Sequence, residues 1–262
     1  MAAKAHHHGH DVGERLYIHH HTFIHDLSPH VKLISALFFI IVAVATPITR
    51  YPAYLGFFAL IFLAIWLAKL PIKTVLLRSL IEIPFVLFAF LMPFFGTGKS
   101  YEILGFTIYE SGVLAGLGII AKGTLGILTA ILLSSTTTAR ELLRGLERLR
   151  IPTLIIQIAT FMLRYMNVVN DEMERMRIAR ASRGFEATGV KHWKVLGHSA
   201  GALFIRSYER GERVHLAMIS RGYQGLMPQE SNVKTSSTEL LQGLALPILA
   251  AIISITTLAI GQ

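Results

Sequence analysis

Cysteine is absent from the 262-residue chain, which rules out disulfides and thiolate metal sites. Charge is scarce as well. Asp, Glu, Lys and Arg make up 16% of the residues, against about 25% in soluble domains. The shortfall is gathered in long apolar blocks, and 53% of the chain is hydrophobic, so the pattern is that of a membrane protein. Period-two alternation is lacking too. Backbone in lipid must satisfy itself as helix or closed barrel, so the expected class is all-α, a polytopic membrane helix bundle. The first 30 residues have no apolar core or small-residue cleavage site, so no cleavable signal peptide is expected. No clustered His/Asp/Glu motif sits at a span end and no nucleophile–base arrangement is recognisable, so a membrane enzyme has little support. Acidic residues are outnumbered, giving a net charge of +9. In a membrane protein that excess reports orientation before it suggests nucleic acid, and no nucleic-acid partner is expected.

What is present is a series of candidate spans, each needing about 20 mainly apolar residues. They are Val31–Ile48, Tyr54–Leu70, Leu80–Phe95, Gly112–Ser134 and Leu240–Ile260. Ser28-Pro29 reads as an N-cap followed by a proline in the first turn. Pro84 breaks the third span and Pro247 lies inside the last. Leu154–Val169 is ambiguous, and charge decides against it. With the N-terminus inside, Lys69, Lys73 and Arg78 fall in a cytoplasmic 69–78 loop, and Arg140, Arg144, Arg148 and Arg150 are cytoplasmic too. A span at 154–169 would put the arginine-rich segment 170–239 outside, against the positive-inside rule. The reading is a His-rich segment 1–30, four spans within 31–134, a cytoplasmic insert 135–239 and a final span in 240–262.

The stretch Gly96-Thr97-Gly98-Lys99-Ser100 imitates the tail of a phosphate-binding loop. Pro93 stands where that loop needs a glycine, and proline has no N–H to give a phosphate. The expected topology also puts it outside, between two membrane helices. It is read as a glycine-rich loop.

The insert is the informative part. Thr138–Arg150 reads as a short basic amphipathic helix, and Pro152 opens a long one. The apolar stripe of the long helix runs through Ile155, Ile158, Met162, Met166, Val169, Met173 and Met176. A third helix follows from about His192, with a stripe at Leu196, Ala200, Phe204, Ser207, Gly211, Val214 and Met218. Glu209 is placed to pair with Arg206 and Arg213. Both long helices end in Ser-Arg-Gly: Ser182-Arg183-Gly184 and Ser220-Arg221-Gly222. The plain reading is helix punctuation, with arginine suiting the dipole and glycine ending the helix. The functional reading is two guanidinium forks offered to acidic grooves of a partner.

Three stretches carry a family resemblance: "HDLSPHVKL" (25–33), "RIPTLIIQIATFMLRYMNVVNDEMERMRIARASRG" (150–184) and "LGHSAGALFIRSYERGERVHLAMISRGYQG" (196–225). The chain resembles the transmembrane T component of energy-coupling factor (ECF) transporters, the cobalt type in particular, over residues 15–260. The resemblance implies a non-catalytic membrane scaffold that binds no cofactor itself. Its long cytoplasmic coupling helices, ending in Ala-Arg-Gly-like motifs, would dock on two ABC-type ATPase subunits that carry ATP-Mg. Their movement would rearrange a substrate-specific membrane subunit; a small accessory membrane subunit is a further candidate partner. The transported ion would be cobalt or nickel. The coupling residues would be Arg183, Gly184, Arg221 and Gly222, with Arg180 as a second candidate at the first tip. Ser182 and Ser220 stand where the family has alanine. The expected location is a bacterial or archaeal cytoplasmic membrane, multi-pass, with the N-terminus inside.

Nine of the twelve histidines lie in the first 30 residues: His6, His7, His8, His10, His19, His20, His21, His25 and His30. Imidazole suits cobalt, nickel and zinc, so a metal-receiving tail stands beside the plainer reading of a polar tail. The resemblance puts the selective metal site in another subunit. Glu82 and Lys122 fall in spans. Glu82 is near the cytoplasmic start of the third span and Lys122 near the middle of the fourth, where a charge costs about 2.5–3.5 kcal/mol on insertion scales, so Lys122 should face protein or water. They are either inter-helix or partner contacts, or the path of a rival: a self-contained ion channel or secondary metal-ion carrier. Gly112, Gly116, Gly123 and Ala130 form a small-residue face for helix packing.

Overall fold

The computed structural model describes residues 16–18, 20, 22–97, 99–103, 106–185, 189, 192–225 and 236–260. It divides into two compact units, one built from Leu16–Leu149 and Lys234–Gln262, the other around Arg150–Val233.

The first unit is a helix bundle. A one-turn helix α1 (Phe23–Asp26) precedes α2 (Pro29–Ala45) and α3 (Tyr51–Leu67). At 17 residues each, α2 and α3 run about 25 Å, at the short limit for crossing a bilayer core of about 30 Å. Three further runs are long and apolar enough to cross: Ile72–Phe94, Glu110–Thr136 and Ser237–Ala259. The first consists of α4 (Ile72–Ser79) and α5 (Ile83–Leu91), joined by a 3-10 turn at Leu80–Glu82. Pro84 cannot donate to the carbonyl four residues back, so the ladder tightens just before it, with the Ile83 N–H on the Leu80 carbonyl. The sequence reading started this span at Leu80. It begins a full helix earlier, so Lys73 and Arg78 belong to helix rather than to a loop.

A second difference is the hairpin β1 (Ser100–Ile103) with β2 (Phe106–Tyr109), Ser100 opposite Tyr109. Aromatic and β-branched residues crowd these strands, but four residues are too few to stand out as alternation. Lys99 and Ser100 thus lead into a strand, not the helix that a phosphate-binding loop requires.

The remaining helices are α6 (Glu110–Thr136), α7 (Ala139–Arg148), α8 (Thr153–Ala181), α9 (Trp193–Ile219) and α10 (Ser237–Ile260). In the bundle α6 packs against α2, α3, α4 and α5, while α10 packs along α2 and α3. The core is Phe39, Ala43, Phe57, Ile61, Leu125, Leu128 and Ala250 with their neighbours. Tyr54 donates its hydroxyl to the Thr46 carbonyl at 2.7 Å, closing the end of α2. The start of α2 is closed from outside it. Ser28 makes no side-chain cap; its N–H goes instead to Glu239 Oε1 at 2.6 Å.

The short helix α7 opens with a capping box in which Thr138 and Glu141 satisfy each other's backbone N–H groups. It belongs with the bundle, because Gly145 lets it lie against α2, where a Cβ would press on Leu33 and the backbone of Pro29 and His30.

Candidate coupling tips and intramembrane charges

The second unit holds α8 and α9. Their ends follow one hydrogen-bonding plan. After α8, the Gly184 N–H donates to the Ala181 carbonyl at 2.9 Å and the Phe185 N–H to the Arg180 carbonyl at 3.1 Å. After α9, the Gly222 N–H donates to Ile219 at 2.9 Å and the Tyr223 N–H to Met218 at 3.0 Å. Each is a complete Schellman motif, with glycine at the left-handed position. The φ values, 72° for Gly184 and 85° for Gly222, are ones a side chain would strain. In both, the arginine is the last residue before the turn, and Ser182, Arg183, Ser220 and Arg221 are all exposed. Arg180 is half-buried one turn back. Ser182 and Ser220 turn their hydroxyls onto their own helices, at the Ile178 and Ala217 carbonyls.

The likeness of the two tips extends one residue further than the tripeptide. An aromatic follows each, Phe185 and Tyr223, and supplies the outer N–H of the motif. Each aromatic is also pinned. Phe185 meets the His192 ring edge-on at 5.1 Å. Tyr223 donates its hydroxyl to Gln157 Oε1 at 3.2 Å, while the Gln157 amide donates to the Gly225 carbonyl at 3.1 Å. Sequence reading missed both aromatics and Gln157. The repeated tetrapeptide Ser-Arg-Gly-aromatic was the signal that could have found them.

These contacts fix the sense of the pair. The end of α8 meets the start of α9, Glu172 near the middle of α8 pairs with Arg206, and the start of α8 meets the segment after α9. The helices are therefore antiparallel, and the two arginine tips lie at opposite ends. With 29 residues in α8, they stand about 40 Å apart. Arg206, expected to bond Glu209 on its own helix, reaches across to Glu172 instead. Between the helices is a cleft of about 440 Å³ lined by Met162, Tyr165, Met166, Val169, Gly211 and Val214. Other members of the expected stripes, Ile155, Ile158, Met173 and Phe204, stand exposed. A regular apolar period marks a face but does not say what covers it.

The two intramembrane charges sit among protein contacts. Glu82 is 6% exposed and accepts a 2.8 Å hydrogen bond from Thr124 on α6. Gly123 makes room for it, since a Cβ there would stand 3.0 Å from its carboxylate. Lys122 donates at 2.7 Å to the carbonyl of Val44, in the last turn of α2, where helix carbonyls lack partners of their own. A cation there also suits the dipole. The small-residue face is present in part. Gly112 and Gly116 press against the backbone of Met92, Pro93 and Ala89, but Ala130 is exposed and takes no part.

Of the histidines, His6, His7, His8, His10, His19 and His21 lie outside the described residues. His25 meets His20 edge-on at 6.4 Å and bonds Thr22 through Nδ1 at 2.6 Å. Among the described residues no group of three or more His, Asp or Glu could hold a metal ion. His25 lies in a strap ahead of α2. The strap is tied to the end of α6 by the Ile18 N–H on the Ser135 carbonyl. Arg78 bridges Ser135 Oγ and the Leu16 carbonyl, and Lys32 bridges the His25 and Thr136 carbonyls. The buried Lys32 and the half-buried Arg78 both escaped the sequence reading, which counted Arg78 only as loop charge.

Comparison with known proteins adds the family. The model of the CbiQ family, described as cobalt transport protein, matches residues 20–233. The chain is 31% identical over 246 residues to the energy-coupling factor transporter transmembrane protein EcfT of Staphylococcus aureus, covering 86% of this chain and 87% of that one. It is 29% identical over 229 residues to the uncharacterized protein MJ1089 of Methanocaldococcus jannaschii, covering 84% of each. Identity to the cobalt transport protein CbiQ of Rhodobacter capsulatus is 30% over 122 residues, 47% of this chain and 50% of that one. The EcfT and CbiQ relatives are named as transport proteins, consistent with a non-enzymatic role. A helical membrane protein matched over this much of its length belongs to the CbiQ cobalt transport protein family, the transmembrane components of ECF-type transport systems.

Proposed function

We propose that this chain couples two ABC-type ATPase subunits, which carry ATP-Mg, to a substrate-specific membrane subunit that imports cobalt or nickel. The observation that carries the reading is the pair of matching tips, Ser182-Arg183-Gly184-Phe185 and Ser220-Arg221-Gly222-Tyr223. Each sets an arginine at the end of a long helix in the same backbone geometry. The Schellman turn fixes where the arginine leaves the helix, so only the side chain has freedom left to lose on docking. An acidic groove on each ATPase subunit would take one guanidinium. Movement of the two grooves would move the two helix ends and, through them, the membrane subunit. In this arrangement the N-terminus and residues 135–239 face the cytoplasm of a bacterial or archaeal cell, and the chain crosses the inner membrane several times. The ion is selected in the partner membrane subunit.

Replacing Arg183 and Arg221 together tests the reading. Pull-down of the ATPase subunits and ATP-dependent metal uptake should both fall at least tenfold. Unchanged values for both would overturn it. The contacts of Glu82 and Lys122 with neighbouring helices give no support to an ion path through this chain.

A further inference from the structure

The two tips share a turn but are not held in the same way. At the α9 tip one side chain of α8 does the holding. Gln157 lies in the second turn of α8, and its partners Tyr223 and Gly225 stand 66 and 68 residues further along the chain. Its amide is used at both ends. Oε1 accepts from the Tyr223 hydroxyl at 3.2 Å, and Nε2 donates to the Gly225 carbonyl at 3.1 Å. A carbonyl can only accept, so the NH₂ must face Gly225 and the hydroxyl must be the donor at the other end. The chain between these anchors is bent twice, with φ 85° at Gly222 and 89° at Gly225. The residues just past Arg221 are therefore clasped to the start of α8.

The clasp reaches Arg221 through a single bond. Tyr223 supplies the outer N–H of the turn, donated to the Met218 carbonyl at 3.0 Å. Holding the Tyr223 hydroxyl keeps that N–H in place, and the closed turn sets the direction in which Arg221 leaves the helix. The α8 tip lacks the atom this needs. Its aromatic is Phe185, which has no hydroxyl and meets His192 edge-on. A ring contact of that kind is less directional than two hydrogen bonds.

We propose that Gln157 is a positioning residue of coupling, which holds Arg221 in its docking direction and leaves Arg183 untouched. The inference rests on the coupling role proposed above for the two arginines. An unclasped tip keeps its arginine but has to be ordered when it docks, and that cost weakens binding. Arg183 stands at the far end of α8, about 40 Å from the clasp, and feels none of it.

The test isolates each tip in the full chain. Arg183→Ala leaves the α9 tip with the one coupling arginine, and Arg221→Ala leaves the α8 tip with it. Gln157→Glu, equal in size, loses the donor to Gly225 and sets oxygen against oxygen there. Tyr223→Phe keeps the ring and loses the hydroxyl. Retention of the ATPase subunits by the purified chain is measured for each combination. In the Arg183→Ala background both changes should lower retention about threefold to tenfold, the worth of a neutral hydrogen bond. In the Arg221→Ala background neither should alter it. A damaged fold would weaken both backgrounds alike, so the contrast between them is the readout. An equal loss in both, or no loss in the first, would overturn the role of Gln157 and leave the coupling arginines standing. If Arg183→Ala and Arg221→Ala themselves change nothing, the coupling reading fails and this inference falls with it.

Discussion

The closeness of α6 to α5 can be put to a measurement that cancels most of its own uncertainty. In α6 a Cβ on Gly116 would stand 2.6 Å from the carbonyl oxygen of Ala89, whereas a Cβ on Gly126 would meet nothing within 4 Å. Both glycines are interior to one helix, so alanine at either gains the same helix propensity, about 0.5–1 kcal/mol. At Gly126 that gain stands alone, and Gly126→Ala should stabilise the protein by about that amount. At Gly116 the contacted atom is backbone and cannot rotate away. The helices must part, and overpacking of this kind costs about 1–3 kcal/mol. The difference between the variants reads the clash alone, so Gly116→Ala should be about 1–3 kcal/mol less stable than Gly126→Ala. Unfolding in detergent micelles followed by circular dichroism gives both values under one condition. If Gly116→Ala proves as stable as Gly126→Ala, then α5 and α6 do not meet at Ala89. The account of why glycines occupy that face fails with it.

Two further predictions concern charged groups. Glu82→Gln keeps an oxygen for the Thr124 hydroxyl, so metal uptake by the assembled transporter should stay within about twofold of the unaltered value; a tenfold loss would give Glu82 a role in the ion path. His25 has its pKa pushed below 6.5, first by burial and then by the Lys32 charge, with His20 adding to the effect and Asp26 and a backbone bond to Ile18 opposing it. Its Nε2 is buried with no partner among the described residues, so a proton there would have no acceptor. A depressed histidine pKa means the unfolded strap binds the proton more readily than the folded one. The His25 contribution is therefore full above pH 6.5 and is lost as pH falls below it. Hydrogen exchange across residues 16–27, corrected for intrinsic rates, should speed up between pH 7.5 and 5.5, and His25→Phe should remove that dependence.

Much of the bundle could be read from the chain because lipid leaves so few choices. Once a stretch near Leu125 or Ala250 is apolar enough to enter the membrane, helix is the form its backbone must take. Helix ends were harder. Sequence reading began the third span at Leu80 because Lys73 and Arg78 look like loop residues. Arg78 is drawn into the bundle by the Ser135 hydroxyl and the Leu16 carbonyl, partners distant in sequence. Lys32 is hidden for the same reason, since the carbonyls it serves belong to His25 and Thr136. The hairpin at 100–109 fell below the length at which period two can be recognised. At the tips the arginines and glycines could be read, because a left-handed turn leaves a composition signal. The aromatics were passed over because the turn needs only their N–H groups, and any residue but proline could supply those. Their identity matters for a different contact, with His192 at one tip and Gln157 at the other.

That second contact bears on how coupling could work. An arginine on a loose loop would have to order the loop when it docked, at about 1–2 kcal/mol of backbone entropy per residue. Here the turn is closed by two hydrogen bonds at each tip before any partner arrives. The aromatic beyond it ties the tip into the helix pair, so under the proposed coupling a force on one guanidinium would pass to the pair rather than be spent in a flexible turn. The antiparallel sense then separates the two guanidiniums by about a helix length, roughly 40 Å. No single groove of ordinary size spans that distance. If both arginines are used, they need two acceptors, and a change in the distance between those acceptors has to be met by a change in the angle between α8 and α9. The Glu172–Arg206 bridge near the middle of the pair is where such an angle would turn. The apolar cleft beside it supplies the unfilled space that a rotation of two helices requires.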